Sequence, residues 1–404
     1  MATAFGELAE YRRKLSEHRT ALAGDAAAAV IDALIAAAPG RSDDDIEDDL
    51  CVRYGAAMAQ FKGGVVEDMV NPEDFAGALL SAIDERLHEA TTACADVATL
   101  QRLLAVVANV LPVPLSKSVR DLVAVHLSGR QVGRGRFVSG QVLWAHDVYG
   151  SRWAVVAPFT SADGPDRWYL WDVDTCGYEV VTVHSGFHLS AESAVAAWQT
   201  SVGHPAAGAA ALTVVDDAET LGALLSGEVE GLRIGGENEE QYAEFLRSRR
   251  LGRTVREAVR PARGPASLRL TAADAAVQFA QRLRQLGYHD ATAGDDADEG
   301  PAGADDLAAE LADSWSPRDY PTLYPYCSPH KVAMFVPHLR DYYKDNFATE
   351  LVAVLPEWIR YLAEHTGMPA ELTERCLAYA SGELQFPEIL DEQGRTNPMA
   401  RVPE

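Results

Sequence analysis

Hydrophobic residues recur at helical spacing along the first third of the chain. Leu8, Leu15 and Leu22 repeat every seven residues, and residues 26–38 continue as an Ala-rich apolar segment. Apolar positions at this spacing fall on one side of a helix. Three more helices are predicted in this part of the chain, over residues 75–90, 95–111 and 116–127. The pattern therefore predicts an N-terminal helical domain over residues 1–128.

A helix start signal stands at residues 71–74. Asn71 is a capping residue, Pro72 suits a first helical turn, and the acids Glu73 and Asp74 favour the positive end of the helix dipole. Short helices joined by tight turns favour an antiparallel bundle or a small solenoid for this domain.

The pattern changes to strands after residue 128. Residues 137–186 are rich in Val, Trp and Tyr, and turn residues interrupt them at roughly regular intervals. Hairpin-length connections between strands imply an antiparallel meander. Four strands are predicted, over residues 142–148, 153–159, 168–174 and 178–184. A helix over residues 190–201, capped by Ser190, is predicted to cover one sheet face, so residues 129–212 are predicted to form a β module.

The second half of the chain returns to helical spacing. Residues 213–288 are predicted to be helical, with segments at 216–225, 239–259 and 272–286. Residues 289–306 contain many acids and almost no apolar side chains, which predicts a disordered linker. Residues 307–404 are predicted to form a C-terminal helical domain. The predicted fold class is α+β: a mostly helical multi-domain protein with a small antiparallel β-meander module.

Composition adds a charge and a compartment to this picture. Lys and Arg total 35 against 60 for Asp and Glu, which gives a formal net charge of -25. Such a surface repels nucleic-acid phosphates and anionic lipids at long range. The five cysteines are scattered without a CxxC pair, which is typical of reduced thiols. The N-terminus lacks the features of a signal peptide, and the apolar stretches are too short or too rich in Ala to span a bilayer. These observations predict a cytoplasmic protein without a membrane partner.

Residues 247–263 reverse the charge locally, with seven arginines and one glutamate. Guanidinium groups bind phosphates and carboxylates in pairs of hydrogen bonds, so this segment predicts a site for an anion, a nucleic acid or an acidic partner. The alternative is a helix face that pairs with the chain's own acids, such as residues 43–49. The candidate residues are Arg247, Arg249, Arg250, Arg253, Arg256, Arg260 and Arg263.

The β module contains a second candidate set of polar residues. Asp172 and Asp174 share one face of a predicted strand, and pairing of the strands in order would bring His184 opposite Asp172 and His146 nearby. Imidazole and carboxylate groups are ligands for zinc or iron. The alternative is that these acids are solvated or form turns, since the fixed spacing of a HExxH motif is missing. The sequence predicts no metal and no cofactor, with His146, Asp172, Asp174 and His184 as the weak metal candidates.

Two stretches carry a resemblance. "WAHDVYGSRWAVVAPF" and "WYLWDVDTCGY" lie in the β module, and "PHKVAMFVPHL" and "LPEWIRYLAEHTGMPAEL" lie in the C-terminal region. With the helical segments beside them, they resemble Ala-rich actinobacterial proteins of unknown function, over roughly half of the chain. The resemblance implies an actinobacterial origin and a cytoplasmic setting, and it implies no activity and no site.

These patterns favour a non-enzymatic cytoplasmic interaction or regulatory protein that binds a macromolecular partner. No phosphate loop, nucleophile motif or metal-ligand spacing is present in the sequence. A protein partner is predicted, and the net charge disfavours nucleic acid. Two alternatives stay open: a hydrolase or metalloenzyme that uses His and Asp of the β module, and a nucleic-acid-associated factor that acts through residues 247–263.

Overall fold

The fold is α+β and mostly helical, as the sequence predicts. The computed structural model describes residues 2–90, 97–112, 115–126, 136–161, 164–176, 180–203, 211–225, 239–259, 270–289, 302–316 and 323–384. The helices are α1 (Ala2–Ala37), α2 (Asp43–Gly63), α3 (Pro72–Ala90), α4 (Val97–Val110), α5 (Leu115–His126), α6 (Ala191–Val202), α7 (Ala218–Leu224), α8 (Glu239–Ala258), α9 (Ala272–Gln285), α10 (Ala304–Trp315), α11 (Pro329–Tyr342), α12 (Asp345–Thr366) and α13 (Ala370–Ser381). The strands are β1 (Leu143–His146), β2 (Arg152–Phe159), β3 (Arg167–Asp174), β4 (Val181–His188) and β5 (Thr213–Val214).

The first core lies among α1 to α5. Helix α3 begins at Pro72, and α2 begins with a capping box in which the Ser42 hydroxyl accepts a hydrogen bond from the N–H of Asp45. Helix α8 joins this core through Tyr242 and Leu246. Gly55 allows α8 to approach α2, because a Cβ at that position would lie 2.7 Å from the backbone nitrogen of Ala243.

Helix α1 is only partly held by this core. Its second half buries Ala27, Ile31 and Leu34, whereas Leu8 and Tyr11 in its first half are 44% and 53% exposed. The segment Gly6–Ala37 meets, by length and composition alone, the requirements for crossing a membrane. The sequence had predicted apolar stretches too short or too Ala-rich to do so. A core helix of a soluble protein and a signal sequence near an N-terminus meet the same requirements, so this finding by itself assigns no membrane role.

The strands form one antiparallel sheet in the order β4-β3-β2-β1-β5. Helix α6 covers one face, where Trp198 packs among Ala154, Val156 and Leu170. Helices α7 and α8 cover the other face, which contains Trp171. Strand β5 was not predicted, because two residues are too few to show a periodic pattern.

The last core combines α9 with α10 to α13, around Trp315 and Trp358. Because α9 packs into this core, the predicted boundary at residue 288 does not separate two cores. Helix α10 begins at Ala304, inside the range predicted to be a disordered linker, and residues 290–301 lie outside the described residues. This core meets the β module directly, since the N–H of Cys327 donates to the carbonyl of Tyr149 at 3.1 Å.

Candidate functional site

Helix α8 positions five of the seven candidate arginines. It runs between two cores, with Leu246 packed against the N-terminal helices and Leu251 and Val255 packed against the sheet. Successive arginines on one helix point in different directions. The five side chains therefore meet different surroundings. Arg256 is half-buried, and its Nε has no hydrogen-bond partner among the described residues. Arg260 and Arg263 lie outside the described residues.

Arg247 is buried and does not belong to a docking surface. Its side chain is 4% exposed, and its guanidinium bonds to Glu47 at 3.2 Å, to Asp48 at 2.7 Å and to Glu244. Glu47 and Asp48 belong to the acidic run at residues 43–49. For Arg247 the alternative interpretation thus describes the structure, because this residue pairs with the chain's own acids.

The surroundings of Arg247 form a buried charge network between α2, α8 and the sheet. Three guanidinium groups surround the ring of Phe187, with Arg136 at 4.9 Å, Arg167 at 4.4 Å and Arg247 at 5.0 Å from its centroid. Burial opposes the ionisation of Asp48, but the charges of Arg247 and Arg167 outweigh it and lower the pKa of Asp48. The arginines and acids of this network stabilise each other, so the network is structural.

Two further arginines of α8 have carboxylate partners at the surface. Arg249 bonds to Glu73 of α3 at 2.7 Å, and Arg253 bonds to Glu257 of its own helix at 2.9 Å. The side chains of Arg253 and Glu257 are more than half exposed. Exposed pairs of this kind stabilise a protein little and exchange partners easily. Arg253 is therefore available to an incoming anion at a small cost.

Arg250 is half-buried among other positive charges. Its Nη1 lies 3.5 Å from the Oγ of Ser116 in the first turn of α5. Partial burial lowers the pKa of Arg250, and the charges of Arg120 and Arg253 lower it further, while Glu257 acts in the opposite direction. In the part of the chain that the structure describes, Arg250 forms no ion pair with a carboxylate. Among the described residues it is therefore a cation without a carboxylate partner.

The charges of Arg120 and Arg253 act on Arg250, and these three residues define the α5–α8 patch, with Lys117 one turn before Arg120 on α5. Lys117 and Arg120 are exposed on α5, and Arg253 is exposed on α8. The sequence predicted Arg250 and Arg253 as candidates, but it did not predict Lys117 and Arg120. Arg250 and Ser116 are 134 residues apart in the chain, so only the fold brings α5 to this arginine. The signal in the sequence that could have indicated them is their spacing, because Lys117 and Arg120 are two basic residues one turn apart on a predicted helix.

The weak metal candidates do not assemble into one site. His184 is paired with Asp172 across the β3–β4 ladder, as predicted. However, Asp172 is fully buried and accepts hydrogen bonds from the Arg152 guanidinium at 2.6 and 2.9 Å, and Asp174 lies 3.6 Å from the same group. The positive charge of Arg152 thus compensates the negative charges of the two carboxylates, which a metal ion would need as ligands.

His146 lies on the opposite face of the sheet. Its cross-strand partner is Trp153, which pairs with Val173, and neighbouring residues of a strand point to opposite faces. The prediction that His146 lies near Asp172 is therefore wrong. The imidazole of His146 packs at a tilt against Trp153, with 4.9 Å between the ring centroids, and its Nδ1 lies 2.6 Å from the carbonyl oxygen of Asp147. Among the described residues, no three His, Cys, Asp or Glu side chains are arranged to hold a metal ion.

A third polar cluster lies where the β module meets α11. The Sγ of Cys176 is 3.0 Å from the Oγ of Ser328, and the Lys331 ammonium lies 5.6 Å from the ring centroids of Trp315 and Tyr326. Burial lowers the pKa of Lys331 to about 8 and raises the pKa of the Cys176 thiol. A buried thiol that stays protonated is a poor nucleophile, so this cluster does not favour thiol chemistry.

Comparisons of the chain with protein-family models, with curated proteins and with solved structures found no match. The resemblance to Ala-rich actinobacterial proteins and the cytoplasmic setting stay predictions. Because no matching protein indicates a function, the function is inferred from the geometry of the α5–α8 patch.

Proposed function

We propose that the chain is a non-enzymatic interaction or regulatory protein that binds an acidic protein partner through the α5–α8 patch. The observation that carries this proposal is the position of Arg250. It is partly removed from water, it is surrounded by Arg120 and Arg253, and it has no carboxylate partner among the described residues. An acidic side chain of a partner would supply the missing charge.

A short acidic segment of a protein fits this patch better than a nucleic acid does. Duplex DNA carries one negative charge per ~1.7 Å, so most of its phosphates would lie over the surrounding surface. The chain as a whole has a formal charge of -25, which repels those phosphates. A protein segment with a few acids would cover the patch alone.

The contacts of the described His and Asp candidates do not favour the enzymatic alternative. Asp172 and Asp174 have their charges compensated by Arg152, and His146 lies on the other face of the sheet. The nucleic-acid alternative rests on the arginines of α8, of which Arg247 is buried in a structural network. These contacts favour an interaction protein over both alternatives.

The test is affinity purification of the full chain from its native host, followed by mass spectrometry. The double variant Arg120→Glu/Arg250→Glu reverses two charges of the patch. Arg340→Glu/Arg360→Glu is the matched control, because it makes the same change of charge on α11 and α12. We expect the patch variant to lose at least ten-fold of a specific partner protein and the control to retain it. Since the attraction is electrostatic, recovery should also fall as salt rises.

Two outcomes of this experiment would contradict the proposal. If both variants retain the same proteins at wild-type levels, the patch is not the docking surface. If the recovered material is nucleic acid that nuclease removes, the nucleic-acid alternative replaces the proposal. Circular dichroism at increasing temperature checks that both variants are folded, so that a loss of partner is not a loss of structure.

A further inference from the structure

The α5–α8 patch holds more positive charge than one carboxylate can compensate. Arg120, Arg250 and Arg253 belong to it, and the acid that acts on Arg250 is Glu257, which is already bonded to Arg253. A single carboxylate of a partner carries one charge and two oxygens. It would leave the half-buried Arg250 beside at least one uncompensated guanidinium.

A phosphoryl group matches this surplus. A phosphate monoester carries a charge of about -1.5 to -2 at pH 7 and offers three acceptor oxygens. Guanidinium groups bind such oxygens with two parallel hydrogen bonds each, which is stronger than a contact with a point charge. The patch combines a half-buried donor, Arg250, with two exposed donors on the neighbouring helices, Arg120 and Arg253.

We infer that the α5–α8 patch recognises a phosphoryl dianion, so that the acidic protein partner is bound through a phosphorylated side chain. This inference rests on the proposed function and specifies the chemical group that the patch recognises. It turns binding into a switch, because phosphorylation of the partner would create the docking group and dephosphorylation would remove it.

The weak engagement of Arg250 supports the choice of this group. Its Nη1 donates to the Oγ of Ser116 at 3.5 Å, which is the long limit of a hydrogen bond, so the guanidinium keeps donors for a stronger acceptor. Arginines that serve a structure bond to buried carboxylates in the same fold, as Arg247 does to Glu47 at 3.2 Å and Arg152 does to Asp172 at 2.6 Å. Arg250 differs from them because it has no carboxylate partner among the described residues.

The experiment compares two capped tripeptides as probes of the full chain, one with a central phosphoserine and one with a central glutamate. Binding is followed by ligand-observed NMR at constant ionic strength, at pH 5.5 and at pH 7.5. The second pKa of a phosphate monoester is about 6, so the dianion fraction rises about four-fold over this range. Arginine stays charged throughout, and the glutamate is ionised at both values. We expect the phosphoserine peptide to bind about four-fold more tightly at pH 7.5 and the glutamate peptide to bind weakly at both.

The variants separate this inference from the proposed function. Arg120→Glu/Arg250→Glu should abolish binding of the phosphoserine peptide, whereas Arg340→Glu/Arg360→Glu should leave it unchanged. If the glutamate peptide binds as tightly as the phosphoserine peptide and neither changes with pH, the inference is wrong, while the patch still stands as an acidic docking surface. If the patch variant binds the phosphoserine peptide like the wild type, the inference is also overturned.

Discussion

At the scale of single residues, Asp147 shows how one buried carboxyl can organise a turn. Its Oδ1 accepts hydrogen bonds from the N–H groups of Ser151 at 2.8 Å and Arg152 at 3.1 Å, and its Oδ2 accepts one from the Ser151 hydroxyl at 3.2 Å. Burial raises the pKa of Asp147 to about 6, and these hydrogen bonds offset only part of that effect. The turn between β1 and β2 is thus held by a group that ionises reluctantly.

We expect Asp147→Asn to change how stability depends on pH. The folded-state pKa of Asp147 lies above its ordinary value, so the folded protein holds a proton that the unfolded chain releases between pH 4 and 6. The wild type therefore loses stability as pH rises through this window. Two pKa units correspond to about 3 kcal/mol, and Asn, which does not titrate, removes this loss.

Denaturant unfolding at several pH values measures this difference. The stability of Asp147→Asn relative to the wild type should increase by about 2 kcal/mol from pH 4 to pH 6.5, which is most of the full effect. Asp166→Asn is the control, because Asp166 is exposed on the approach to β3. A difference between Asp147→Asn and wild type that stays flat over this range would show that Asp147 has an ordinary pKa.

Residues whose roles depend on nearby sequence could be predicted. Ser190 and Thr271 both cap helices, as their positions before apolar repeats indicate, and Pro72 opens α3. The pairing of Arg247 with Glu47 could not be predicted as a contact, since 200 residues separate them. The sequence shows that residues 43–49 and residues 247–263 carry charges of opposite sign. That contrast was enough to predict that the two segments could pair, but not which residues form the pairs.

At the scale of elements, α6 shows how a small sheet gains a hydrophobic partner. Trp198 is fully buried against the sheet, beside Ala194 of its own helix. The small side chains Ala145 and Ala154 on β1 and β2 leave room for the indole. The structure gives no hydrogen-bond partner for the Trp198 Nε1 among the residues that it describes.

We expect Trp198→Ala to lower the free energy of unfolding by about 3–5 kcal/mol, since it removes a large buried ring and leaves a cavity. Trp198→Phe should cost clearly less, because it keeps most of the ring and removes an N–H that is buried without a partner. Thr200→Ala on the exposed side of α6 is the control, with a change within about 0.5 kcal/mol. Equal losses for Ala and Phe in chemical denaturation would contradict this account of the packing.

The strands show where element prediction from sequence succeeds and where it does not. Strands β2 and β3 begin one residue before the predicted ranges 153–159 and 168–174 and end where predicted. Strand β4 begins and ends later than predicted, and its register with β3 shifts between Asp172 and Val173. An extra residue at such an irregularity breaks the alternation on which a strand prediction depends.

At the scale of the whole molecule, α8 belongs to two cores at once. Tyr242 and Leu246 pack with the N-terminal helices, and Leu251 and Val255 pack against the sheet. Residues 213–288 were predicted as a separate helical region because their periodic pattern is local. A pattern of apolar positions states that a face is buried, but it does not state which element buries it. The division of α8 and α9 between different cores therefore could not be predicted.

We expect Arg247 to be essential for the join between these cores, and Arg249, two residues later on α8, to be nearly dispensable. Arg247→Met leaves the buried Glu47 and the nearby Asp48 with less compensating charge and should lower the free energy of unfolding by about 3–5 kcal/mol. Arg249→Met breaks a surface pair with Glu73 and should cost less than about 1 kcal/mol. Denaturation in urea measures the free energy of unfolding of both variants. Urea is uncharged and does not screen the ion pairs, as the salt guanidinium chloride would. Similar losses for the two variants would mean that the buried network does not hold the cores together.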